Sequence, residues 1–374
     1  MAAMSRDRSR HQILGFEPWD HGSHQAARRS WSRHGGCEWA WVTLPRGHWR
    51  WRMRLGAPAL VSIAEQAGVF DRGCHWDAIF ASSLCSLSDL ISLMPASYAQ
   101  IPRVLYMHEN QAAYPASVGR ADHRDHQLAI TNLTSMLAAD VVLWNSAWNR
   151  DSFASGIASL LAHDREALGE ELIDRVLERS QIIWPPVEPT QATDQRVLHN
   201  AKKARQRGLK LVIWPHRWEH DKGPELLVEL ERQHGAGHQI GWVICGEQFE
   251  RQPEAFAQLA QLAGDRVIHS GFAPRDAYET WLHACDWVVS TAHHEFFGMA
   301  VVEALQAGCL PWLPGRLSYP ELTPPEWAGL TPMQPPADSD AVRAAIKLHL
   351  APAVAREATC RLEAAIEAAI EGSI

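Results

Sequence analysis

Glu295 and Glu303 stand eight residues apart in HHEFFGMAVVEALQAG (293–308), a spacing that lets two carboxylates serve one ligand at the start of a helix. The helix is expected to open near Gly298, with Glu295 ahead of it and Glu303 on its second turn, ~12 Å further along by the helical rise. The N–H groups of Phe297, Gly298 and Met299 fall where a helix leaves donors unpaired, and a phosphate or a sugar hydroxyl can accept from them. Gly298 lets a ligand approach the backbone closely. A strand–loop–helix unit with two solvated glutamates would look the same, so a second group of residues has to decide. WPHRWEHDKGPELL (214–227) supplies it, with Arg217 and Lys222 leading into a helix and Gly223 at the turn. A fork-shaped guanidinium and an ammonium at a helix start suit the spread negative charge of a diphosphate.

A third stretch, PRGHWRWRMR (45–54), carries Arg46, Arg50, Arg52 and Arg54 together with Trp49 and Trp51. From Trp49 to Arg54 arginines alternate with Trp49, Trp51 and Met53, which in an extended segment puts the arginines on one side. Guanidinium groups meet phosphates and indoles stack on bases, the means by which proteins hold single-stranded nucleic acid. The competing reading is a core edge whose arginines reach out to water. Charge favours a polyanion: residues 1–54 hold ten basic side chains against four acidic ones, in a chain of net charge -8.

These groups need a scaffold, and 374 residues suffice for two domains. Short apolar runs alternate with helical patterns: QILGF (12–16), DAIFASS (77–83), RVLYM (103–107), DVVLW (140–144) and QIIW (181–184) read as buried strands. The pattern restarts with KLVIW (210–214), IGWVIC (240–245), RVIH (266–269), DWVVS (286–290) and CLPW (309–312). Buried strands between helices imply two α/β domains with parallel sheets covered on both faces. WPPVEP (184–189) is the linker candidate, because proline continues neither a helix nor a central strand. The expected division is 1–186, 187–336 and a helical segment 337–374 packing back on the first domain. In open sheets of this kind ligands sit at the carboxyl ends of the strands.

No run of about 18 apolar residues spans a membrane, and MAAMSRDRSRHQ has no apolar stretch behind its charges, so a cytoplasmic protein is expected. Seven scattered cysteines, never spaced as CxxC, fit reduced thiols. The histidines of HRDH (123–126) and HGSH (21–24) could ligate a metal but read as loop histidines, and DSD (338–340) reads as a helix cap. No metal site is therefore expected.

Taken with the wider wording, R217-x4-K222-G223 and E295-FFG-x4-E303 resemble retaining glycosyltransferases of the GT-B fold, two Rossmann-like domains facing each other across a cleft. VTLP…HWRWR, YMHENQ…YP, NSAWNRDSF, WPHRWEHDK and STAHHEFFGMAVVEA resemble the tRNA-queuosine mannosyltransferase family, from about residue 12 to 321. That resemblance implies GDP-mannose as donor and queuosine in the anticodon loop of a tRNA as acceptor, with no metal and no obligate protein partner. It implies that Arg217 and Lys222 hold the diphosphate, Glu303 the ribose hydroxyls, and Glu295 with the Phe296, Phe297 and Gly298 amides the sugar. GFAP (271–274), with Phe272 and Ala273, and CGE (245–247), with Gly246 and Glu247, match the base-contacting segments. Met299 completes the donor set at the helix start. Gly22 and Ser23 match the first-strand loop near the phosphates, where the family usually has paired glycines and this chain has His21 and Gly22. His108 in MHEN matches the position facing donor sugar and acceptor, with Glu109 and Asn110 on the acceptor side. His108, Arg217, Lys222 and Glu295 are the expected catalytic residues, and the arginine–tryptophan strip is the expected tRNA contact.

Three rivals compete. A glycoside hydrolase wants two carboxylates about 5–10 Å apart, but has no use for the Arg217/Lys222 clamp. A non-catalytic RNA-binding relative would have lost motif residues that are all present here. A transferase acting on a glycan, lipid or small molecule, or with another sugar donor, stays open; the basic strip distinguishes it.

Overall fold

A computed structural model describes residues 10–98, 100–114, 126–162, 169–247, 254–325 and 339–372. The chain forms two compact units, Met1–Pro186 with Ala355–Ile374, and Val187–Val354. In the first unit the chain runs β1 (Gln12–Glu17), α1 (Gly22–His34), β2 (Glu38–Thr43), α2 (Trp49–Gln66), β3 (Ala78–Ser82), α3 (Leu87–Leu93) and β4 (Arg103–Met107). It continues through α4 (His126–Ala138), β5 (Val141–Trp144), α5 (Ala147–Leu161), α6 (Glu170–Glu178) and β6 (Ser180–Ile182). The strands pair in parallel in the order β2-β1-β3-β4-β5-β6. β3 and β5 are buried at every position, which is why their sequences read as unbroken apolar runs.

The second unit runs α7 (Gln195–Gln206), β7 (Lys210–Pro215), α8 (Pro224–Leu230), β8 (Ile240–Cys245), α9 (Ala255–Ala263) and β9 (Val267–Gly271). Then follow α10 (Arg275–Ala284), β10 (Trp287–Val289), α11 (Met299–Ala307), β11 (Leu310–Trp312) and α12 (Asp340–His349). Its parallel sheet has the order β11-β10-β7-β8-β9. The break between the units, after Pro186, falls inside WPPVEP.

The 337–374 segment, expected as one element, is divided. α12 packs on α11 in the second unit, whereas α13 (Ala355–Ile370) belongs to the first and packs on α1. Leu362, Ala365, Ile366 and Ala369 of α13 join the core made by Ile13, Trp31, Phe80 and Tyr106. Glu363 accepts from the Gly36 and Cys37 amides at 2.8 and 2.7 Å, which ties this helix to the turn after α1.

β2 is the strand that the apolar-run reading missed. EWAWVT alternates and lies at the sheet edge, where Trp39 and Trp41 stack with ring centroids 4.7 Å apart instead of burying a continuous run.

Candidate functional site

Each sheet reverses its direction of growth once, and the candidate residues gather at the carboxyl ends of the strands beside that reversal. In the second unit the chain first builds from β7 through β8 to β9, then returns to place β10 on the other side of β7. The loops after β7 and β10 therefore leave the same edge side by side, the place where open α/β sheets hold ligands.

Lys222 comes from the first of these loops and Glu295 from the second. Lys222 Nζ donates to the His294 carbonyl at 3.0 Å and lies 3.5 Å from Glu295 and 3.2 Å from Asp221. Only 8 % of the lysine is exposed. Burial works against its charge, but Glu295 and Asp221 outweigh it and raise its pKa. Burial likewise works against the Glu295 carboxylate, and Lys222 outweighs that and lowers its pKa. Both are ionised, and the pair persists in a dry setting because each charge has its opposite within reach. Thr291 Oγ locks the two loops together, donating to the Lys222 carbonyl at 2.8 Å and accepting from Trp214 Nε1 at 2.9 Å.

His216 and His294 border this pair, and the sequence reading missed both, together with Asp221. Burial first, then the Lys222 ammonium, pushes both imidazoles down to about 4, so they are neutral at neutral pH. The density of charged and imidazole residues in WPHRWEHDK and HHE was the available signal. Arg217 behaves differently from Lys222: it is exposed, with Glu219 at 3.1 Å. The two cations expected as a matched clamp are thus one buried and one solvent-facing.

α11 begins directly after Gly298, whose φ of 92° and ψ of 52° lie in the left-handed region that glycine tolerates. Phe296, Phe297 and Gly298 are buried and Met299 is half-buried, with Ser318 Oγ donating to the Phe297 carbonyl at 2.9 Å. Glu303 is half-buried on α11 and held from α10: it accepts from Arg275 at 2.7 Å and from the Tyr278 hydroxyl at 3.0 Å. Arg275 and Tyr278 were not singled out in the sequence. Gly246 N–H donates to the Gly271 carbonyl at 3.1 Å, and the Glu247 carbonyl accepts from Trp218 N–H. CGE and GFAP therefore lie together at the ends of β8 and β9, with Phe272 70 % exposed and Ala273 half-buried.

In the first unit the reversal lies between β1 and β3. Glu17 ends β1 fully buried, and one carboxylate oxygen accepts from Trp19 N–H at 2.8 Å while lying 3.1 Å from His24 Nδ1. The His24 ring lies 4.0 Å from that of His108, which follows β4. Of the two HGSH histidines, His21 is exposed as a loop residue, but His24 is buried, contrary to that expectation. Among the described residues, Glu17, His24 and His108 form a group of metal-type donor atoms within 4.8 Å of one another. Of HRDH, residues 123–125 lie outside the described residues. Gly22 and Ser23 are exposed at the start of α1.

Asn110 does not fit the acceptor side expected of it. It is fully buried, its Nδ2 donates to Asn149 and Ser152, and its Oδ1 accepts from Ala113 N–H. Its polar atoms brace the loop after β4. Glu109, half-buried next to it, accepts from Gln111 at 2.9 Å.

The arginine–tryptophan strip is not extended. Residues 49–54 open α2, so the arginines follow a helical period. The six-residue alternation is overruled by Met53, Gly56, Ala57, Leu60, Val61 and Ala64, whose spacing buries one helical face. Trp49 packs by Met53, Leu84 and Leu128 and meets Tyr114 at 5.2 Å, while Trp51 is 59 % exposed. Arg46, Arg50 and Arg54 are exposed, with Arg50 over the Trp49 ring. Arg52 instead donates to the Pro45 carbonyl at 2.8 Å and holds the turn before the helix.

A family described as tRNA-queuosine alpha-mannosyltransferase N-terminal matches residues 12–187, and one described as Glycosyl transferases group 1 matches 196–311. A Drosophila melanogaster tRNA-queuosine alpha-mannosyltransferase is 34% identical over 320 residues, 84% of this chain and 82% of that protein. A Streptomyces fradiae 2-deoxystreptamine N-acetyl-D-glucosaminyltransferase is 33% identical over 106 residues, 27% of this chain and 25% of that protein. Among solved structures, Anabaena HepE in complex with UDP and glucose has a TM-score of 0.56 at 16% identity, covering 97% of this chain and 98% of that one. Sucrose-phosphate synthase from Thermosynechococcus elongatus has a TM-score of 0.57 at 17% identity, covering 97% of each. At such identities the structural likeness speaks for the fold alone.

Proposed function

Because the chain belongs to the tRNA-queuosine alpha-mannosyltransferase family and is a glycosyltransferase of the GT-B fold, we propose that it moves mannose from GDP-mannose to queuosine in a tRNA anticodon loop, with retention and without a metal. The observation that carries the reading is the pairing of buried Lys222 with half-buried Glu295, set beside the start of α11 at the reversal of the second sheet. A carboxylate for sugar hydroxyls and an ammonium for a diphosphate are placed together before any ligand arrives, so little reorganisation is needed at the moment of reaction.

In this reading Arg217 and Lys222 bind the diphosphate and stabilise the charge that grows on it as the glycosidic bond breaks. The leaving diphosphate oxygen takes the proton of the acceptor hydroxyl, so no carboxylate nucleophile is required. The enzyme's work is to hold donor and acceptor together and to stabilise the leaving group. Glu295 and the Phe296, Phe297, Gly298 and Met299 backbone bind the sugar; Glu303, oriented by Arg275 and Tyr278, binds the ribose. Gly246, Glu247, Phe272 and Ala273 hold the base. Gly22 and Ser23 meet the phosphates, and His108 with Glu109 faces sugar and acceptor. Among the described residues no helix is long and apolar enough to cross a membrane.

The test is incubation with queuosine-bearing tRNA, unmodified tRNA and a panel of nucleotide-sugars in excess EDTA, read by nucleoside mass spectrometry. GDP-mannose is expected to add one hexose to queuosine alone. Transfer to a small-molecule acceptor instead, or activity that needs manganese, would overturn the acceptor or the metal-free mechanism respectively.

For the tRNA, the exposed Arg46, Arg50 and Arg54 with Trp51 at the start of α2 provide phosphate and base contacts, while Trp49 and Arg52 serve the fold. Replacing those three arginines with Gln is expected to weaken tRNA binding and to flatten the log–log salt slope by about 2, at ~0.7 per single-strand phosphate contact. GDP-mannose affinity should stay as it was. An unchanged salt slope in a filter-binding titration would place the RNA elsewhere.

A further inference from the structure

Glu17 and His24, to which no donor or acceptor contact is assigned, form a buried group with His108. Glu17 has no exposed surface, His24 retains 5 % and His108 8 %. A carboxylate so deep is costly unless its charge is answered, and the group answering it is His24, 3.1 Å away. His108 packs against His24 with ring centroids 4.0 Å apart and the planes tilted by 31°, and Tyr106 and Trp31 border its ring at 4.7 and 5.9 Å. Two polar atoms within this group, Glu17 Oε2 and His108 Nε2, are buried without a hydrogen-bond partner. An unsatisfied buried nitrogen at the carboxyl edge of a parallel sheet is where a ligand group is expected to complete the bonding.

We propose that Glu17 and His24 are positioning residues for the transfer: Glu17 fixes the His24 ring, and that ring holds His108 in one orientation with its open Nε2 presented to the substrate. The proposal rests on the reading that His108 faces the substrate, and adds to it the device that sets His108. Two imidazoles packed 4.0 Å apart cannot both carry a proton at low cost. Burial works against a proton on His24, but Glu17, with Glu109 and Asp20 further off, outweighs it and raises its pKa. Burial, then the charge on His24, drives the pKa of His108 well below the ordinary value. The groups facing the pair come from every neighbouring element. Glu17 ends β1. Asp20 precedes α1 and is itself paired with Arg28 at 2.9 Å. Glu109 follows β4, and the Cys85 thiol follows β3, with burial keeping it protonated. His108 is therefore a neutral imidazole at neutral pH, able to share a hydrogen bond with a hydroxyl.

The same three residues are a donor set that a divalent metal could use. Geometry favours the pairing instead: a Glu17 oxygen already accepts from Trp19 and faces His24, and the two imidazoles pack against each other with centroids 4.0 Å apart. The experiment uses the full-length enzyme with ¹³C/¹⁵N-labelled histidine, as wild type, His24→Gln, Glu17→Gln and His108→Asn. In wild type the His108 resonance should stay neutral at and above neutral pH, and His24 should titrate above the ordinary histidine value. In His24→Gln, His108 should titrate at higher pH, and kcat should fall by about 10–100-fold, the scale of a misplaced catalytic group, with KM changing less. Its kcat should also gain an acidic limb at the pH where the His108 resonance moves. Glu17→Gln, close in shape, should move the His24 titration down and covers the case in which His24→Gln fails to fold. Unchanged titrations in both variants, or a uniform loss of kcat with no new limb, would overturn the proposal. So would stoichiometric zinc bound by wild type and lost in His24→Gln. Full activity of His108→Asn alongside the expected titrations would locate the failure in the reading that His108 faces the substrate.

Discussion

Arg217→Ala is expected to lower turnover by at least ~100-fold, the scale of deleting one electrostatic stabiliser, with the melting temperature unchanged. The reason for the clean separation is exposure: the guanidinium projects into solvent and its ion-pair partner is the neighbouring Glu219. Lys222→Ala should cost as much activity, but not so cleanly. The difference is burial, since only 8 % of Lys222 is exposed. Removing its ammonium leaves the half-buried Glu295 and Asp221 without their cation beside two imidazoles, at a cost of about 1.5–3 kcal/mol, the scale of a lost hydrogen bond between charged groups. A double variant, Lys222→Met with Glu295→Gln, removes both charges and should regain much of the stability without regaining turnover. Chemical denaturation and steady-state rates on the three variants separate the roles. Near-normal turnover in both Arg217→Ala and the double variant would remove the diphosphate assignment.

Gly223→Ala should cripple the enzyme without touching any charged group. At φ 62° and ψ 47° the residue lies in the left-handed region, which costs an alanine roughly 1–2 kcal/mol. A Cβ there would lie 2.3 Å from the Thr291 carbonyl oxygen and 3.3 Å from His293. Backbone cannot yield as a side-chain tip does, so the loops after β7 and β10 must part, carrying Lys222 away from Glu295. The expected cost is about 2–4 kcal/mol in stability and roughly 100-fold in turnover, the effect of a displacement of about 1 Å. Gly208→Ala is the control: its φ is 81°, but its Cβ would meet nothing within 4 Å. Denaturant titration should show only the conformational cost at Gly208. Equal losses at the two glycines would mean that the close approach to Thr291 is relieved elsewhere.

Several elements could be read from residue order because local pattern alone dictates them. KLVIW, IGWVIC and RVLYM are short apolar runs between helical patterns, and a parallel sheet covered on both faces is the arrangement that buries them. Gly298 opens α11 because a left-handed residue ahead of a helix wants no Cβ, and Ser339 caps α12 by accepting from Val342 N–H at 3.3 Å. Residues 49–54 misled for the opposite reason. Six alternating residues form a local pattern, but their conformation is set by burial of Met53 through Ala64, which a six-residue window does not contain.

The residue types in HRWEHDKG and HHEFFGMAVVE determined that cations and carboxylates would sit at two loop–helix junctions of one sheet. They also determined the turn glycines and the chemistry those groups can do. Only the tertiary structure decided which charges are buried. Lys222 and Glu295, 73 positions apart in the chain, meet because β10 returns beside β7, and that meeting makes of two ordinary side chains an ion pair largely withdrawn from water. Likewise Glu17, His24 and His108 come from β1, α1 and the end of β4; the contact of the two imidazoles depends on sheet order and packing. Electrostatics in a protein depend on distance and dielectric, and both are properties of the folded chain that residue order specifies only through the fold.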